Sequence, residues 1–131
     1  MDTSAIHEAM AESQAGGLIF PEVVWRLLAS GVESYFVDFG KGEMTFYALD
    51  GSTHIEEMIV PLSEVAGEFS LSGIVAAIRG AQTDTVRYPE FVTLATAAGV
   101  IGYWVFLTGK KVIYFGRKGE AHVEEFPRPK A

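Results

Sequence analysis

Two short motifs of the same type are the residues of this 131-residue chain that could carry chemistry. His54 and Glu56 form one His-x-Glu motif, and His122 and Glu124 form the other. Residues two apart on a strand project from the same face, so each motif places an imidazole beside a carboxylate. Such a pair can ligate zinc, iron or manganese, or act as a general acid–base pair, because histidine titrates near neutrality. If the motifs meet, the four side chains form one candidate metal or catalytic site.

The same motifs also have a purely structural interpretation. A histidine and a glutamate on an outer strand often form a solvated face, or the histidine packs against a cross-strand tyrosine. The sequence has no cysteine, no glycine-rich phosphate loop, no G-x-S-x-G and no H-E-x-x-H, which removes thiolate sites and the common nucleophile and zinc motifs. With no nucleophile nearby in sequence, we predict no catalytic residue and no cofactor, and keep a divalent metal as the alternative.

Composition restricts the class of protein further. Lys plus Arg number 10 against 17 Asp plus Glu, a formal net charge of −7, which repels a phosphate backbone and makes nucleic acid an unexpected partner. Hydrophobic residues make up 49% of the chain, enough for the core of one folded domain. The first residues show no signal-peptide pattern, and no apolar run is long enough to cross a bilayer, so we expect a cytoplasmic protein without membrane association.

An internal repeat organises the chain. Shifting the sequence by 68 positions aligns residues 4–57 with 72–125 without a gap, and 16 of the 54 aligned positions are identical. One shared run is Pro21-Glu22-Val23-Val24 against Pro89-Glu90-Phe91-Val92. We therefore predict a single domain, residues 1–131, built from two repeats at about 4–60 and 72–127.

Each repeat predicts two helices followed by a three-stranded antiparallel meander. Ser4 and Ser72 are candidate N-caps of the first helices. Pro21 begins the second helix of the first repeat, and Gly31 ends it. The period then changes to two, with turns rich in glycine. The predicted fold class is α+β, with helices packed on the sheet and a pseudo-twofold relation between the repeats. A final segment after Phe126 is predicted to be disordered.

Turn lengths predict which strand residues share a face. A two-residue hairpin at Asp50-Gly51 and a three-residue loop at 40–42 align Tyr35 with Tyr47 and His54. The predicted aromatic binding surface consists of Tyr35, Tyr47, Tyr103 and Phe115. The opposite face, predicted to pack on the helices, consists of Phe36, Met44, Phe46, Ile55, Trp104, Val112, Tyr114 and Val123.

Several runs carry a resemblance to a known family. They are Phe20-Pro21-Glu22-Val23-Val24, Leu28-Ala29-Ser30-Gly31-Val32, Gly51-Ser52-Thr53-His54-Ile55-Glu56 and the stretch from Thr108 to Gly119. From about Ser4 to Pro127 the chain resembles the YdfO/YbcV-like bacterial family of unknown function. Some of its members are encoded in prophages, and some are labelled "phage envelope protein". The resemblance implies a small, cytoplasmic, stand-alone α+β protein and supplies no catalytic residues.

Two functional hypotheses follow. The first is a non-catalytic binding or self-assembly module, in which the aromatic surface contacts a small-molecule ligand, a partner or a second copy in a homodimer. The alternative is a metal-dependent or acid–base enzyme that uses the two His-x-Glu motifs. We favour the first, because a strand-borne His-x-Glu pair alone leaves an active site incomplete.

Overall fold

A computed structural model describes residues 1–127, so the segment predicted to be disordered after Phe126 lies almost entirely outside the described residues. The described chain has four helices and six strands, which confirms the predicted α+β class and the order of elements in each repeat. The elements are α1 (Thr3–Gln14), α2 (Phe20–Ala29), β1 (Ser34–Asp38), β2 (Glu43–Tyr47), β3 (Thr53–Glu57), α3 (Leu71–Gln82), α4 (Tyr88–Ala97), β4 (Val100–Phe106), β5 (Lys111–Gly116) and β6 (Ala121–Glu125).

The two meanders join into one antiparallel sheet with the order β3-β2-β1-β4-β5-β6. The first strands of the two repeats are neighbours, and Phe36 pairs with Trp104. These two residues are 68 positions apart and are therefore equivalent in the repeat. A pairing of equivalent positions across antiparallel neighbours agrees with a local twofold axis between β1 and β4, so the outermost strands β3 and β6 are also equivalent.

Helix ends follow local sequence signals. The N-caps of the first helices are Asp2 and Ser70, whose side chains accept hydrogen bonds from Ala5 N and Gly73 N. Both caps lie two residues before the predicted positions, and they are again equivalent in the repeat. A side-chain acceptor at this position satisfies a backbone N–H that has no partner within the helix.

The hydrophobic core lies between the helices and one face of the sheet. Ile6 and Leu27 of the first helix pair are fully buried, as are Ile74 and Val92 of the second. Within residues 1–127 the opposite sheet face has no helix packed on it, and Ile55 and Val123 there are 56% and 52% exposed. We call this second surface the open face.

Strand register corrects the predicted faces. The loop between β1 and β2 has four residues, because Asp38 pairs with Glu43, and the loop between β2 and β3 has three, because Ala48 N donates to Ser52 O. Each loop is one residue longer than predicted. A slip of one residue moves a side chain to the other face of the sheet. Tyr35 therefore pairs with Phe46 rather than Tyr47.

The second repeat shows the same shift. Tyr103 pairs with Tyr114 rather than Phe115, and Tyr114 pairs with His122. Relative to β1 and β4, only the middle strand of each meander is turned over, so both histidines still share a face with Tyr35 and Tyr103. The sequence predicts that face to be free of helices, and this is wrong, because Tyr35 and Tyr103 are buried under the helices and Glu56 beside His54 contacts α1. Of the predicted helix-packed set, Met44, Phe46, Val112 and Tyr114 are buried under the helices, whereas Phe36, Ile55, Trp104 and Val123 lie on the open face.

Candidate functional site

The two His-x-Glu motifs lie at opposite edges of the sheet. His54 and Glu56 are on β3, and His122 and Glu124 are on β6. Five strand spacings of about 4.8 Å separate these edges by roughly 24 Å. The sequence left open whether the two motifs meet, and they do not, because the repeats join through β1 and β4. Among the described residues no group of three His, Asp or Glu side chains could hold a metal ion.

In the first repeat the motif connects β3 to α1. Glu56 Oε2 lies 2.5 Å from His54 Nε2, and Glu56 Oε1 lies 2.6 Å from His7 Nδ1. His7 is on α1, so the half-buried carboxylate joins the first helix to the edge strand. No local sequence signal pairs His7 with Glu56, since they are 49 positions apart.

In the second repeat an arginine takes the helix position. Glu124 Oε1 lies 3.1 Å from His122 Nε2, and Arg79 Nη1 of α3 donates to Glu124 Oε2 at 2.8 Å. Burial alone would raise the pKa of Glu124, but the hydrogen bonds from Arg79 and His122 outweigh burial and hold that pKa below its usual value. Glu124 is therefore an ionised and already paired carboxylate at neutral pH, which makes it a weak general base.

The predicted aromatic surface is divided between the two faces of the sheet. Tyr35 and Tyr103 are buried beneath the helices, whereas Tyr47 and Phe115 lie on the open face. The prediction of one shared surface is wrong because β2 and β5 are turned over. On the open face, Trp104 stacks between Tyr47 and Phe106, with ring centroids 5.6 and 5.7 Å away.

The buried tyrosines face a cavity between the helix layer and the sheet. It has a volume of about 110 Å³ and lies between the two helix pairs, over β1, β4, β5 and β6. Phe20 and Val23 of α2 form one wall, Ile78 of α3 forms another, and Phe91 of α4 packs edge-on against Tyr103. The lining is predominantly apolar. A concave apolar space with a few polar groups is typical of small-molecule sites.

Four tyrosines line the cavity and contribute hydroxyl groups to it. The hydroxyls of Tyr88 and Tyr103 are hydrogen-bonded to each other at 2.7 Å. Tyr35 and Tyr114 also line the cavity, and within residues 1–127 neither hydroxyl has a hydrogen-bond partner. Their side chains are only 4% and 6% exposed. Two almost buried hydroxyls are therefore available to a molecule in the cavity.

Burial keeps these hydroxyls neutral. It raises the pKa of Tyr88 to about 12 despite the hydrogen bond with Tyr103. Burial first, and then the neighbouring Tyr88 and Tyr114 phenols, raise the pKa of Tyr35 well above its ordinary value. For Tyr114 burial is again the largest cause, followed by the charge of Glu124, and both raise the pKa. At physiological pH the cavity therefore contains protonated phenols, which can both donate and accept hydrogen bonds.

The equivalent position in the first repeat is nearly filled. A space of about 10 Å³ lies there, with Met10 and Met44 in its lining. The corresponding residues of the second repeat are Ile78 and Val112, which line the larger cavity. Methionine is long and flexible and fills irregular gaps, so the longer side chains account for the difference. The cavity therefore extends into the second repeat and not into the equivalent space of the first, although residues of both repeats line it.

At the mouth of the cavity, Arg87 contacts loops of both repeats. Arg87 lines the cavity, donates from Nη1 to Gly16 O at 3.0 Å and pairs with Asp84 at 2.9 Å. Gly16 lies after α1, and Asp84 lies in the α3–α4 loop. One guanidinium therefore fixes the loops of the two helix pairs relative to each other.

The sequence identified part of this cavity. Tyr35, Tyr103 and Glu124 were predicted as site residues, in other roles, whereas Tyr88 and Tyr114 were missed. Tyr114 was predicted to pack under the helices, and it does, but nothing in the sequence showed that a cavity lies beside it. For Tyr88 one signal exists, since the repeat aligns it with Phe20 and an added hydroxyl at a buried position needs a partner.

The structure thus defines a class, a duplicated α+β protein with an internal cavity beneath its helices. The chain belongs to the family described as "Protein of unknown function (DUF1398)", which matches residues 20–125. A search of curated proteins found no match to the chain. In the part of the chain that the structure describes, no helix is both long and apolar enough to span a membrane.

Proposed function

We propose that this protein is a non-catalytic binding module that holds a small, largely apolar molecule in the cavity between its helix pairs. The observation that carries the proposal is the cavity itself, about 110 Å³ in volume and lined mainly by apolar and aromatic side chains. Engineered apolar cavities of about 150 Å³ bind benzene, and a space of about 110 Å³ is of the same order, so one ring is the largest rigid group that we expect the cavity to enclose. The cytoplasmic location and the prophage relation implied by the sequence stay predictions.

The expected affinity is modest. A ligand of seven or eight heavy atoms gains a few kcal/mol from burial after the loss of its translational freedom, which corresponds to a Kd on the order of 1 mM or tighter. The physiological ligand can be larger, because residues near the mouth such as Asp84, Arg87 and Glu125 also line the cavity. A single-ring compound is thus a probe of the space rather than the natural ligand.

The test is a titration of the wild-type protein with toluene, followed by NMR of its methyl and aromatic resonances. We expect saturable shifts at cavity residues such as Val112 and Phe91, and none at Ile55 or Val123 on the open face. Saturable shifts confined to the open face, or no saturable shifts, would contradict the proposal. This mapping uses the unmodified chain and does not depend on a variant that folds.

A pair of variants localises the ligand independently. Ala81 is partly buried and lines the cavity from α3, whereas Ala76 on the same helix is exposed. Ala81→Phe fills part of the cavity, so we expect at least a tenfold loss of toluene affinity with the thermal transition retained. Ala76→Phe adds the same ring outside the cavity and serves as the matched control. Equal affinities for the two variants would place the ligand elsewhere.

Self-association through the open face is a second candidate, in which the occupant is a second copy of this chain. The middle row of that face contains no charged side chain, and the charges lie at its ends. That middle row is Ile55, Thr45, Phe36, Trp104, Ile113 and Val123. An apolar centre with a charged rim is the usual anatomy of an interface.

The size of the open face also fits this candidate. Six strands of at least five residues form a flat sheet of roughly 500 Å². Because side chains protrude from the sheet, the accessible area of the open face is larger than this and comes near the roughly 800 Å² per partner of a standard interface. Sedimentation of the wild type should show a dimer that Ile55→Lys and Val123→Lys dissociate. Leu49→Lys is the control, because Leu49 is exposed in a turn outside this face. A monomer at all concentrations would refute this candidate and leave the cavity unaffected.

A further inference from the structure

We propose, resting on the proposed binding function, that the ligand of the cavity is an uncharged ring or chain carrying one hydroxyl or carbonyl oxygen, which hydrogen-bonds to Tyr35 and Tyr114. Both side chains are more than nine-tenths buried, both line the cavity, and neither hydroxyl has a partner within residues 1–127. Trp104 Nε1 is the one buried side-chain nitrogen or oxygen atom of residues 1–127 without a partner, so the two tyrosine hydroxyls are not sealed in the core. They are open to the cavity, where an oxygen atom of a ligand can form hydrogen bonds with them.

The charges around the cavity favour a neutral ligand. Glu124 is the carboxylate that lines the cavity near Tyr114, and it is already paired with Arg79 and His122. An anionic ligand would meet this carboxylate in a space of low polarity. A cationic ligand would find the carboxylate occupied, and the cost of burying its charge would not be recovered.

The hydroxyls also set where the oxygen lies. One hydroxyl of the Tyr88 and Tyr103 pair donates to the other, which leaves one O–H of the pair free, whereas both hydroxyls of Tyr35 and Tyr114 are free within residues 1–127. Most of the free hydrogen-bonding capacity therefore lies on Tyr35 and Tyr114. Tyr35 lies on β1 and Tyr114 on β5, with β4 between them. We place the ligand oxygen between the hydroxyls of these two tyrosines, over β4, with the apolar part of the ligand against the apolar lining of the cavity.

The experiment compares p-cresol with toluene, since the two differ by one hydroxyl. Tyr114→Phe and Tyr35→Phe are the test variants. Tyr114→Phe is expected to fold, because the first repeat has Phe46 at the equivalent, fully buried position. Tyr47→Phe is the matched control, since it removes a hydroxyl from the open face of the same sheet. Each affinity is measured by calorimetry or NMR, and the quantity compared is the ratio of the toluene Kd to the p-cresol Kd.

We expect Tyr114→Phe and Tyr35→Phe each to lower this ratio about three- to tenfold, as for the loss of one hydrogen bond, and Tyr47→Phe to leave it unchanged. Benzoate and benzylammonium should bind at least a hundredfold more weakly than p-cresol. An unchanged ratio in both cavity variants, or tighter binding of a charged probe, overturns this inference while the proposed function stands. If neither toluene nor p-cresol binds, the proposed function itself fails.

Discussion

Replacing Gly99 and Gly31 by alanine tests whether the backbone at Glu68, before α3, packs against the end of α4. The two glycines are equivalent in the repeat, and both follow the C-terminal end of a helix with positive φ, +81° and +86°. An alanine in this left-handed conformation costs about 1 kcal/mol at either position. The atoms that surround the two glycines, however, differ. A Cβ at Gly99 would lie 2.2 Å from Glu68 O, whereas at Gly31 the nearest atom is Met1 Cα at 3.5 Å, an ordinary contact.

The clash at Gly99 cannot be relieved by rotating a side chain, because the obstructing atom belongs to the backbone. The segment before α3 would have to move by about 1 Å, and the hydrogen bond from Ser70 N to Ala98 O, 2.7 Å long, would be distorted. Adding about 1 kcal/mol for that bond and about 1 kcal/mol or more for overpacking gives a total near 3 kcal/mol. We therefore expect Gly99→Ala to lose about 2 kcal/mol more stability than Gly31→Ala.

The assay is urea denaturation of both variants and the wild type, monitored by tryptophan fluorescence and by circular dichroism. Agreement of the two probes tests two-state behaviour, which the comparison of free energies of unfolding requires. Equal destabilisation by Gly99→Ala and Gly31→Ala would refute the reasoning, since it would mean that Glu68 does not pack against the end of α4.

Three further predictions concern a charge, a helix cap and the strand register. Glu124→Gln should cost about 1–2 kcal/mol at neutral pH. Because the folded-state pKa of Glu124 is lowered, the difference from wild type in urea unfolding should shrink as pH falls from the ordinary glutamate pKa through the lowered pKa of Glu124, and a difference that does not change over the acid range would exclude the ion pairs as its source. Ser70→Ala removes the side-chain acceptor of Gly73 N and should lower the free energy of unfolding by about 1 kcal/mol. Ser70→Asp keeps an acceptor at this position and should keep most of the wild-type stability. Equal losses for the two variants would contradict the capping role. Phe46→Ala should lower the free energy of unfolding by about 3–5 kcal/mol, and Tyr47→Ala should lower it clearly less, because Phe46 is buried under the helices and Tyr47 lies on the open face. Thermal unfolding measures both, and a larger loss for Tyr47→Ala would refute the register of β2.

The arrangement of secondary structure could be predicted from the sequence because its signals are local. The shift of 68 positions, Pro21 at the start of α2 and Gly31 after its end depend on neighbouring residues. The same signals predicted all six strands. Even the error in the N-caps stayed within two residues, since Asp2 and Ser70 are themselves good cap residues.

The faces of the strands were less predictable, because they depend on loop lengths that differ by one residue. Asp50-Gly51 is typical of a two-residue hairpin, yet Leu49 joins the loop and turns β2 over relative to β3, and the four-residue loop before β2 turns it over relative to β1. Phe46 and Tyr114 therefore share a face with Tyr35 and Tyr103, whereas Tyr47 and Phe115 lie on the opposite face. Alternating apolar residues on both faces of β2 and β5 gave no local signal to distinguish the two registers.

The sequence by itself determined the duplication, the α+β class and the elements of each repeat, since these follow from periodicity and from residues close in the chain. The tertiary structure decided how the repeats join, and with it the positions of the functional groups. Pairing of β1 with β4 placed His54 and His122 at opposite edges and brought Tyr35 and Tyr114 to one cavity. Contacts between residues so far apart in sequence depend on the packing of complete layers, which no single segment encodes.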